Sequence, residues 1–378
     1  MKVRVFEAFA GYGSQSLALE RLKRNFANFD YEVVGISEID THAVRAYNAV
    51  HSNTTNYGDI SEIDWGKVDD FDCFTYSFPC TQISRAGQQK GMKRGSGTAS
   101  SLVWDCLRCF SAKRPKWLLM ENVPDIVGDK VRDDFYDWCT ELNKLGYENY
   151  ISILRSQDFG VPQSRSRVFM VSILGGGGYY FPKNIGCDSR LKDVIDYDVD
   201  EKYYKDDSAL QKIKVEDSRA ETICINSKVN GKQPSLQDRI YDVNGIAPAC
   251  TCSYLPYIAE PRIVQIGNIC EDTAKFHNRT MGRVYSIDGI SPTLNTCGGG
   301  NREPLIYINA RIRKLTPREF LRLQDVSEED IEKIMSVGLS DSAIYKLAGN
   351  SITISVLYHL FRKMFVETEN ENDQLCLF

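Results

Sequence analysis

No apolar run of the roughly 20 residues that a membrane-spanning helix needs occurs in this chain of 378 residues. The start, Met1-Lys2-Val3-Arg4-Val5-Phe6-Glu7, is unlike a secretory leader, since it sets two basic residues and a glutamate into the first apolar run. Excess positive charge is lacking. A net charge of −5 excludes a protein coated in basic residues, so any nucleic-acid surface must be a local patch. The twelve cysteines show no disulfide framework. Cys73, Cys106, Cys109 and Cys139 sit inside apolar runs, the pattern of buried thiols in a reducing compartment, and the cytoplasm is the expected location. Cys106-Leu-Arg-Cys109 has no second pair at zinc-ribbon distance, and Leu102, Leu107 and Phe110 place it on an amphipathic helix; Cys250-Thr-Cys252 is a weaker signal still, so no metal is expected. What is present, 42% hydrophobic and 26% charged residues, suffices for a large domain plus a smaller one.

Through about residue 175, short β-branched or apolar runs alternate with helical stretches, the pattern of an α/β protein whose parallel sheet is covered on both faces. The strands are expected at 2–9, 31–38, 71–77, 117–121, 150–155 and 168–174, and helices at 16–28, 42–50, 102–112 and 133–145. Gly175-Gly176-Gly177-Gly178 then marks a domain boundary. Turn-rich sequence with short strand signals follows, and it contains a repeat: Arg239-Ile-Tyr-Asp-Val-Asn-Gly-Ile-Ala-Pro248 returns as Arg283-Val-Tyr-Ser-Ile-Asp-Gly-Ile-Ser-Pro292. Each copy joins a β run to an Asn-Gly or Asp-Gly turn, which predicts paired hairpin-like units in a small β-rich domain. Helical patterning resumes after Ile312; a last helix is expected at 352–365, before an acidic tail expected to fray.

Phe9-Ala10-Gly11-Tyr12-Gly13 lies between the first strand and the first helix, where glycine permits a tight turn and close approach to a ligand. Ser14 and Gln15 replace the next glycine of a dinucleotide fingerprint, which favours a nucleoside without a pyrophosphate. Glu38 ends the second strand, placed to accept ribose hydroxyls, and Asp59 can accept from an adenine amino group. Cys80, in Phe78-Pro79-Cys80, follows a buried-looking strand and so emerges on the ligand-binding edge. The next segment, Ser84-Arg85-Ala-Gly87-Gln88-Gln-Lys90-Gly91, continues basic through Lys93 and Arg94, as suits a loop that grips phosphates. Glu121-Asn122-Val123-Pro124 emerges on the same edge, where a carboxyl beside apolar bulk can hold a proton. Gln163-Ser-Arg165-Ser-Arg167 precedes the sixth strand, and alternation puts both arginines on one side. Asn350 and Ser351 are expected to open the last helix, whose free N–H groups suit a carboxylate; a plain capping role is the bland alternative. The densest basic run, Arg311, Arg313, Lys314, Arg318 and Arg322, reads as a solvated face or as phosphate contacts.

Taken in order, Phe-Ala-Gly-Tyr-Gly, Pro79-Cys80, Glu121-Asn122-Val123, Gln163-x-Arg165-x-Arg167, Arg313-Lys-Leu-Thr316-Pro-Arg318-Glu319 and Gly349-Asn350-Ser351 resemble the DNA (cytosine-5)-methyltransferases of bacteria and phages. The resemblance spans both ends of the chain and leaves only about 185–305 without family motifs. Glu7 stands where the family often has Asp, Ser14 where it often has Gly, and Thr81 where Gln usually follows the cysteine. The fold so implied is the Rossmann-like sheet of S-adenosylmethionine-dependent methyltransferases, formed by 1–183 and completed by 343–378, with a target recognition domain at 184–342. Its cofactor is S-adenosylmethionine, with contacts implied at Phe9, Ala10, Gly11, Tyr12, Gly13, Glu38, Ile39, Asp59, Ile60, Pro79, Leu102, Asn350 and Ser351. Cys80 is implied as the nucleophile on a flipped-out cytosine, Glu121 as the partner of ring nitrogen 3 and the exocyclic amine, Arg165 as the contact to the cytosine carbonyl, and Arg167 as the brace for Glu121 or the cysteine loop. Ser84, Arg85, Gln88, Lys90, Gln163, Arg239, Arg283, Arg311 and Arg313 are the implied contacts to double-stranded DNA, with Lys232, Gln237, Arg279 and Arg302 as further polar candidates. A monomeric modification enzyme is implied, paired with a restriction endonuclease or acting alone. A transfer-RNA cytosine methyltransferase shares nearly the same catalytic motifs, but that branch has a much shorter insert. An adenine amino-methyltransferase would need an Asp/Asn-Pro-Pro-Tyr/Phe motif, which is absent, and a catalytically dead binding module would have no use for Cys80 and Glu121.

Overall fold

Apolar residues fall on both sides of the first strand, β1 (Lys2–Ala8): Val3 and Val5 enter one hydrophobic cluster, Phe6 and Ala8 another. A strand buried on both faces belongs in the middle of a covered sheet. In the computed structural model, which describes residues 1–51, 54–84, 90–204, 240–241, 257–258, 265–268, 283–294, 296, 303–308 and 311–367, that is its place. The chain continues through α1 (Ser14–Asn25), β2 (Asp30–Ser37), α2 (Thr41–Val50), β3 (Cys73–Tyr76), α3 (Cys106–Lys113), β4 (Trp117–Asn122), α4 (Arg132–Lys144), β5 (Tyr147–Arg155), β6 (Gln163–Ser164) and β7 (Ser166–Leu174). The six-stranded sheet has the order β2-β1-β3-β4-β7-β5.

The expected all-parallel sheet needs one correction. β2, β1, β3 and β4 run parallel, but β7 is antiparallel to both β4 and β5. Residues 156–165, which join β5 to β7, hold only the single turn Ser156–Asp158 and the short β6. A parallel return requires a longer crossover, usually a helix, so the chain doubles back. This reversal brings the start of β7, rather than its end, to the edge where β1, β3 and β4 finish.

One face of the sheet is filled by aromatic rings from Phe74, Phe110 and Trp138, set edge-on or tilted to one another. The other face carries α1 and the C-terminal helices α5 (Pro317–Arg322), α6 (Glu328–Ser336), α7 (Asp341–Asn350) and α8 (Ile354–Phe365), which share one cluster with Leu17, Leu22 and Val171. Between these halves of the chain lie β8 (Ile240–Tyr241), β9 (Tyr257–Ile258), β10 (Gln265–Asn268), β11 (Arg283–Ser286), β12 (Ser291–Pro292), β13 (Leu305–Ile308) and β14 (Arg311–Lys314). β10, β11, β13 and β14 form a separate four-stranded sheet. The second repeat copy supplies β11 and β12; of the first copy only Ile240–Tyr241 is within the described residues. Among the described residues no helix is long and apolar enough to cross a membrane, and no cluster of His, Cys, Asp and Glu is placed to hold a metal.

Thr316-Pro-Arg-Glu319 is a capping box that starts α5, with the Thr316 hydroxyl accepting from the Glu319 N–H and the Glu319 carboxylate accepting from the Thr316 N–H at 2.7 Å. The same carboxylate receives both amino groups of Arg313, at 2.7 and 2.8 Å, and the N–H of Asp196. Arg313 and Glu319 are fully buried. The expectation that Arg313 meets DNA is therefore corrected: its fork is spent inside. Arg313→Met should cost about 3–5 kcal/mol in urea unfolding, because it strands a buried carboxylate. A surface phosphate contact would leave the midpoint nearly unchanged.

Candidate active site

The loop after β1 turns back through left-handed backbone at Phe9 (φ +56°), Gly11 (φ +59°) and Gly13 (φ +83°). A side chain at Gly13 would meet His51 Nε2 at 2.4 Å, whereas among the described residues nothing lies within 4 Å of the position a Cβ would take on Gly11. Gly11 thus opens a cradle, and its N–H donates to Glu38 Oε2 at 2.9 Å. Glu38 Oε1 accepts from the N–H groups of Ile39 and Asp40, which leaves the freer lone pair on Oε2. Ile39 stands 68% exposed beside it, an apolar plate at the mouth of the cradle, while Ile60 turns into the aromatic core. Asp59 is aimed by Ser61, whose N–H and hydroxyl both donate to Oδ1. A glycine cradle, a carboxylate and an exposed isoleucine fit an adenosine. Leu102 lies half-buried in the turn Ala99–Asp105, whose Ser100 hydroxyl holds the Pro79 carbonyl at 2.6 Å.

Asn350 and Ser351 do not open a helix. Asn350 is the last residue of α7 and Ser351 its C-cap, while α8 begins at Ile354. A helix C-terminus carries the opposite end of the dipole, so the expected carboxylate site on free N–H groups is corrected. Ser351 instead receives the buried Tyr12 hydroxyl at 3.0 Å and donates to the Ala348 carbonyl.

Glu7 is fully buried beneath this loop. Its oxygens accept from Ser16 at 2.7 Å and Tyr47 at 3.3 Å, with Tyr31 and Cys73 adding only further acidic groups. Burial, offset in part by those hydrogen bonds, pushes its carboxyl up to about 7. Because the folded state then holds a proton that the unfolded chain has lost, stability should fall as pH rises from about 4.5 to about 7. Glu7→Gln should remove up to about 3 kcal/mol of that slope, so the stability of the variant relative to wild type should climb between pH 5 and pH 8 in denaturant titrations. A pH-independent difference would contradict the assignment.

On the same edge, Cys80 follows β3 and its carbonyl accepts from the N–H groups of Ile83 and Ser84, so Cys80 opens a short helical turn. Asn122, at the end of β4, donates to the Phe78 carbonyl at 3.1 Å and ties the cysteine loop to the neighbouring strand. Sequence reasoning gave Asn122 no role, although it lies inside the Glu-Asn-Val signal. Glu121, 7% exposed, pairs with Arg167 Nε at 3.0 Å. Burial raises the Glu121 carboxyl while Arg167 and Arg165 pull it down; burial and then Glu121 raise the Cys80 thiol, and the same two arginines oppose this.

The two arginines diverge. Arg165 lies between β6 and β7 with its N–H turned back onto the Gln163 carbonyl, which breaks the alternation expected to align them. Its guanidinium is buried and donates to the carbonyls of Ser351 (2.6 Å), Gly349 (3.1 Å) and Leu294 (3.4 Å). Burial lowers it to about 9. Arg167, beside Glu121, is the arginine that faces the acidic group.

A description of the whole family, C-5 cytosine-specific DNA methylase, matches residues 3–366. The chain belongs to this family. It is 33% identical to the type II methyltransferase M2.ScrFI of Lactococcus lactis subsp. cremoris, over 96% of this chain and 99% of that one. It is 34% identical to the type II methyltransferase M.NlaX of Neisseria lactamica, over 96% of each, and 26% identical to the orphan methyltransferase M.Rho11sI of Bacillus phage rho11s, over 99% of this chain and all of that one. Among solved structures, the Dnmt2 methyltransferase of S. pombe covers 95% of the chain at a TM-score of 0.62 and 18% identity (97% of that chain), and the methyltransferase EhMeth of Entamoeba histolytica 97% at 0.67 and 16% (98% of that chain). The protein is therefore a DNA (cytosine-5)-methyltransferase with the Rossmann-like fold of that family, using S-adenosylmethionine.

For a DNA methyltransferase, the expected DNA contacts divide sharply. Lys90 is exposed, Ser84 half-buried; Arg85, Gln88, Arg239, Lys232, Gln237, Arg279 and Arg302 lie outside the described residues. Gln163 is fully buried, its amide donating to the Leu323 carbonyl at 2.5 Å and accepting from the Leu294 N–H, so its expected DNA contact is corrected to an internal brace. Arg283 is half-buried and hydrogen-bonded to Tyr285. Arg311 forks onto Glu201 at 2.6 and 2.8 Å and stacks 3.8 Å over the Tyr204 ring. Arg318 pairs with Glu328 and Glu332, and Arg322 with Asp196 and Glu328. The arginines of the basic run after β13 are matched by acidic neighbours within the methyltransferase itself, and Lys314 lies over the Tyr203 and Tyr345 rings.

Proposed function

We propose that this methyltransferase adds the Cys80 thiolate to carbon 6 of a cytosine flipped out of double-stranded DNA and so makes carbon 5 nucleophilic. The observation that carries this reading is the convergence of Cys80, Glu121 and Arg167 on one sheet edge, next to the Gly11 cradle, with the Glu121–Arg167 pair at 3.0 Å. When bound, S-adenosylmethionine supplies the electrophilic methyl group. Glu121 holds ring nitrogen 3 and the exocyclic amine, and its buried carboxyl stabilises the charge that builds on the ring during thiolate addition. Arg167 takes the contact to the cytosine carbonyl that the family resemblance gave to Arg165, because Arg165 is committed to three backbone carbonyls. After carbon 5 has gained the methyl group, a base removes its proton, the ring electrons return, and the carbon–sulfur bond breaks to release Cys80.

The adenosine end of the cofactor is assigned to Gly11, Glu38, Ile39 and Asp59, with Phe9, Ala10, Pro79 and Leu102 lining the approach to the methyl group. Residues 1–183 with 343–378 are assigned to catalysis, and 184–342 to target recognition, although α5 and α6 within the latter pack into the core of α1 and α8. Relatives of both type II and orphan kinds support a bacterial or phage modification enzyme, and the proposal takes it to act as a monomer. Bisulfite sequencing of plasmid DNA from cells expressing the protein should show protected cytosines within one recurring sequence. Plasmid DNA without any protected cytosine would overturn the reading, and methyl incorporation into RNA alone would redirect it.

A further inference from the structure

We infer that Arg165 is a positioning residue that joins the cofactor loop to the recognition region, so that occupation of the Gly11 cradle stiffens residues 291–294. The inference rests on the assignment of residues 184–342 to recognition. One buried guanidinium collects carbonyls from segments far apart in the chain: Leu294 on one side, Gly349 and Ser351 on the other. Among the described residues it makes no ion pair with a carboxylate, and its hydrogen bonds go to these three carbonyls.

Each end of this fork is tied onward. On the cofactor side, the Tyr12 hydroxyl donates to Ser351 Oγ, and Tyr12 is the residue between the two left-handed glycines of the cradle. On the recognition side, Leu294 ends a segment whose strand β12 pairs in parallel with β6, Ser291 opposite Gln163 and Pro292 opposite Ser164. The Ser291 N–H donates to the Pro162 carbonyl at 2.7 Å, the Thr293 hydroxyl to the Ser164 carbonyl at 2.5 Å, and the Leu294 N–H to Gln163 Oε1 at 3.4 Å. The second copy of the repeat thus ends on the backbone that carries Arg165 and Arg167. A rigid fork of five donors can span both sides at once; a single ammonium cannot. Ordering the Tyr12–Ser351 side therefore reduces the freedom of Leu294, and by reciprocity whatever orders the recognition side favours the cofactor.

The test is amide hydrogen exchange of the full-length protein with and without S-adenosylhomocysteine, alongside calorimetry of that ligand. In the wild type, the amides of Ser291, Thr293 and Leu294 should exchange about fivefold or more slowly when the ligand is bound. Arg165→Lys should bind the ligand and lose that difference, a result that a purely structural role would not give, since it depends on occupancy. Should Arg165→Lys fail to fold, Tyr12→Phe removes a single hydroxyl at the other end of the strut and should abolish the same difference. Absence of ligand-dependent protection in the wild type, or its survival in whichever of these variants folds and binds, would overturn the inference. No turnover or DNA enters the measurement, so failure of the Cys80 mechanism and failure of this coupling are separately visible.

Discussion

Cys80→Ser should lower methyl transfer by on the order of 10⁴-fold or more while S-adenosylmethionine affinity changes by less than about threefold. In the proposed mechanism the thiolate acts on cytosine, and among the described residues no contact of the Gly11 cradle passes through the Cys80 side chain. Serine preserves the turn, because the groups that fix it are backbone: the Cys80 carbonyl with the N–H groups of Ile83 and Ser84, and the Phe78 carbonyl with Asn122. What is lost is a thiol sulfur, a far better nucleophile once deprotonated than a serine hydroxyl. In the resting enzyme, burial first and Glu121 second raise the Cys80 thiol, with Arg167 and Arg165 in opposition. Addition to cytosine should therefore accelerate as pH rises above neutral. A duplex carrying 5-fluorocytosine at the methylated position provides the direct measurement, since the fluorine cannot leave as a proton and the carbon–sulfur bond persists. Denaturing gels should show a wild-type protein–DNA adduct that Cys80→Ser does not form. A wild type that forms none would remove Cys80 from the mechanism.

Much of the candidate site's edge was legible in the sequence because strand–turn–helix punctuation locates the ends of strands. Cys80 and Glu121 follow apolar runs, and both emerge where parallel strands finish. The direction of β7 was not legible, since a period of two residues has no polarity; only the short connection at 156–165 hinted at it. Alternation also misled at Arg165, where a local turn onto Gln163 interrupts the strand and sends one arginine inward and the other to Glu121. The basic run from Arg311 to Arg322 read as a surface because its acidic partners are scattered: Glu201 and Asp196 come from far earlier in the chain, and Glu328 follows. Glu319 was nonetheless within reach, as the fourth residue of Thr316-Pro-Arg-Glu319, a capping signature that predicts a carboxylate turned toward backbone rather than toward solvent.

Glu121→Gln should reduce the rate of methyl transfer by roughly 10²–10⁴-fold with a change in the DNA KM of only a few-fold. Glutamine keeps the length and planarity of the side chain, so its oxygen can still accept from Arg167 Nε, now 3.0 Å from Glu121 Oε1, and cytosine can still be held in place. The amide cannot deliver a proton to ring nitrogen 3 or carry the compensating charge as the thiolate adds. Burial raises the Glu121 carboxyl, and Arg167 and Arg165 oppose that rise. The loss should accordingly fall on kcat, because a group whose contribution grows as ring charge develops stabilises the transition state more than the bound substrate. Single-turnover rates at saturating DNA and cofactor separate this from weaker binding. Glu121→Gln should also show much less adduct with 5-fluorocytosine, as the step it assists precedes methyl transfer. Wild-type single-turnover rates in that variant would leave Glu121 as a partner for Arg167 alone.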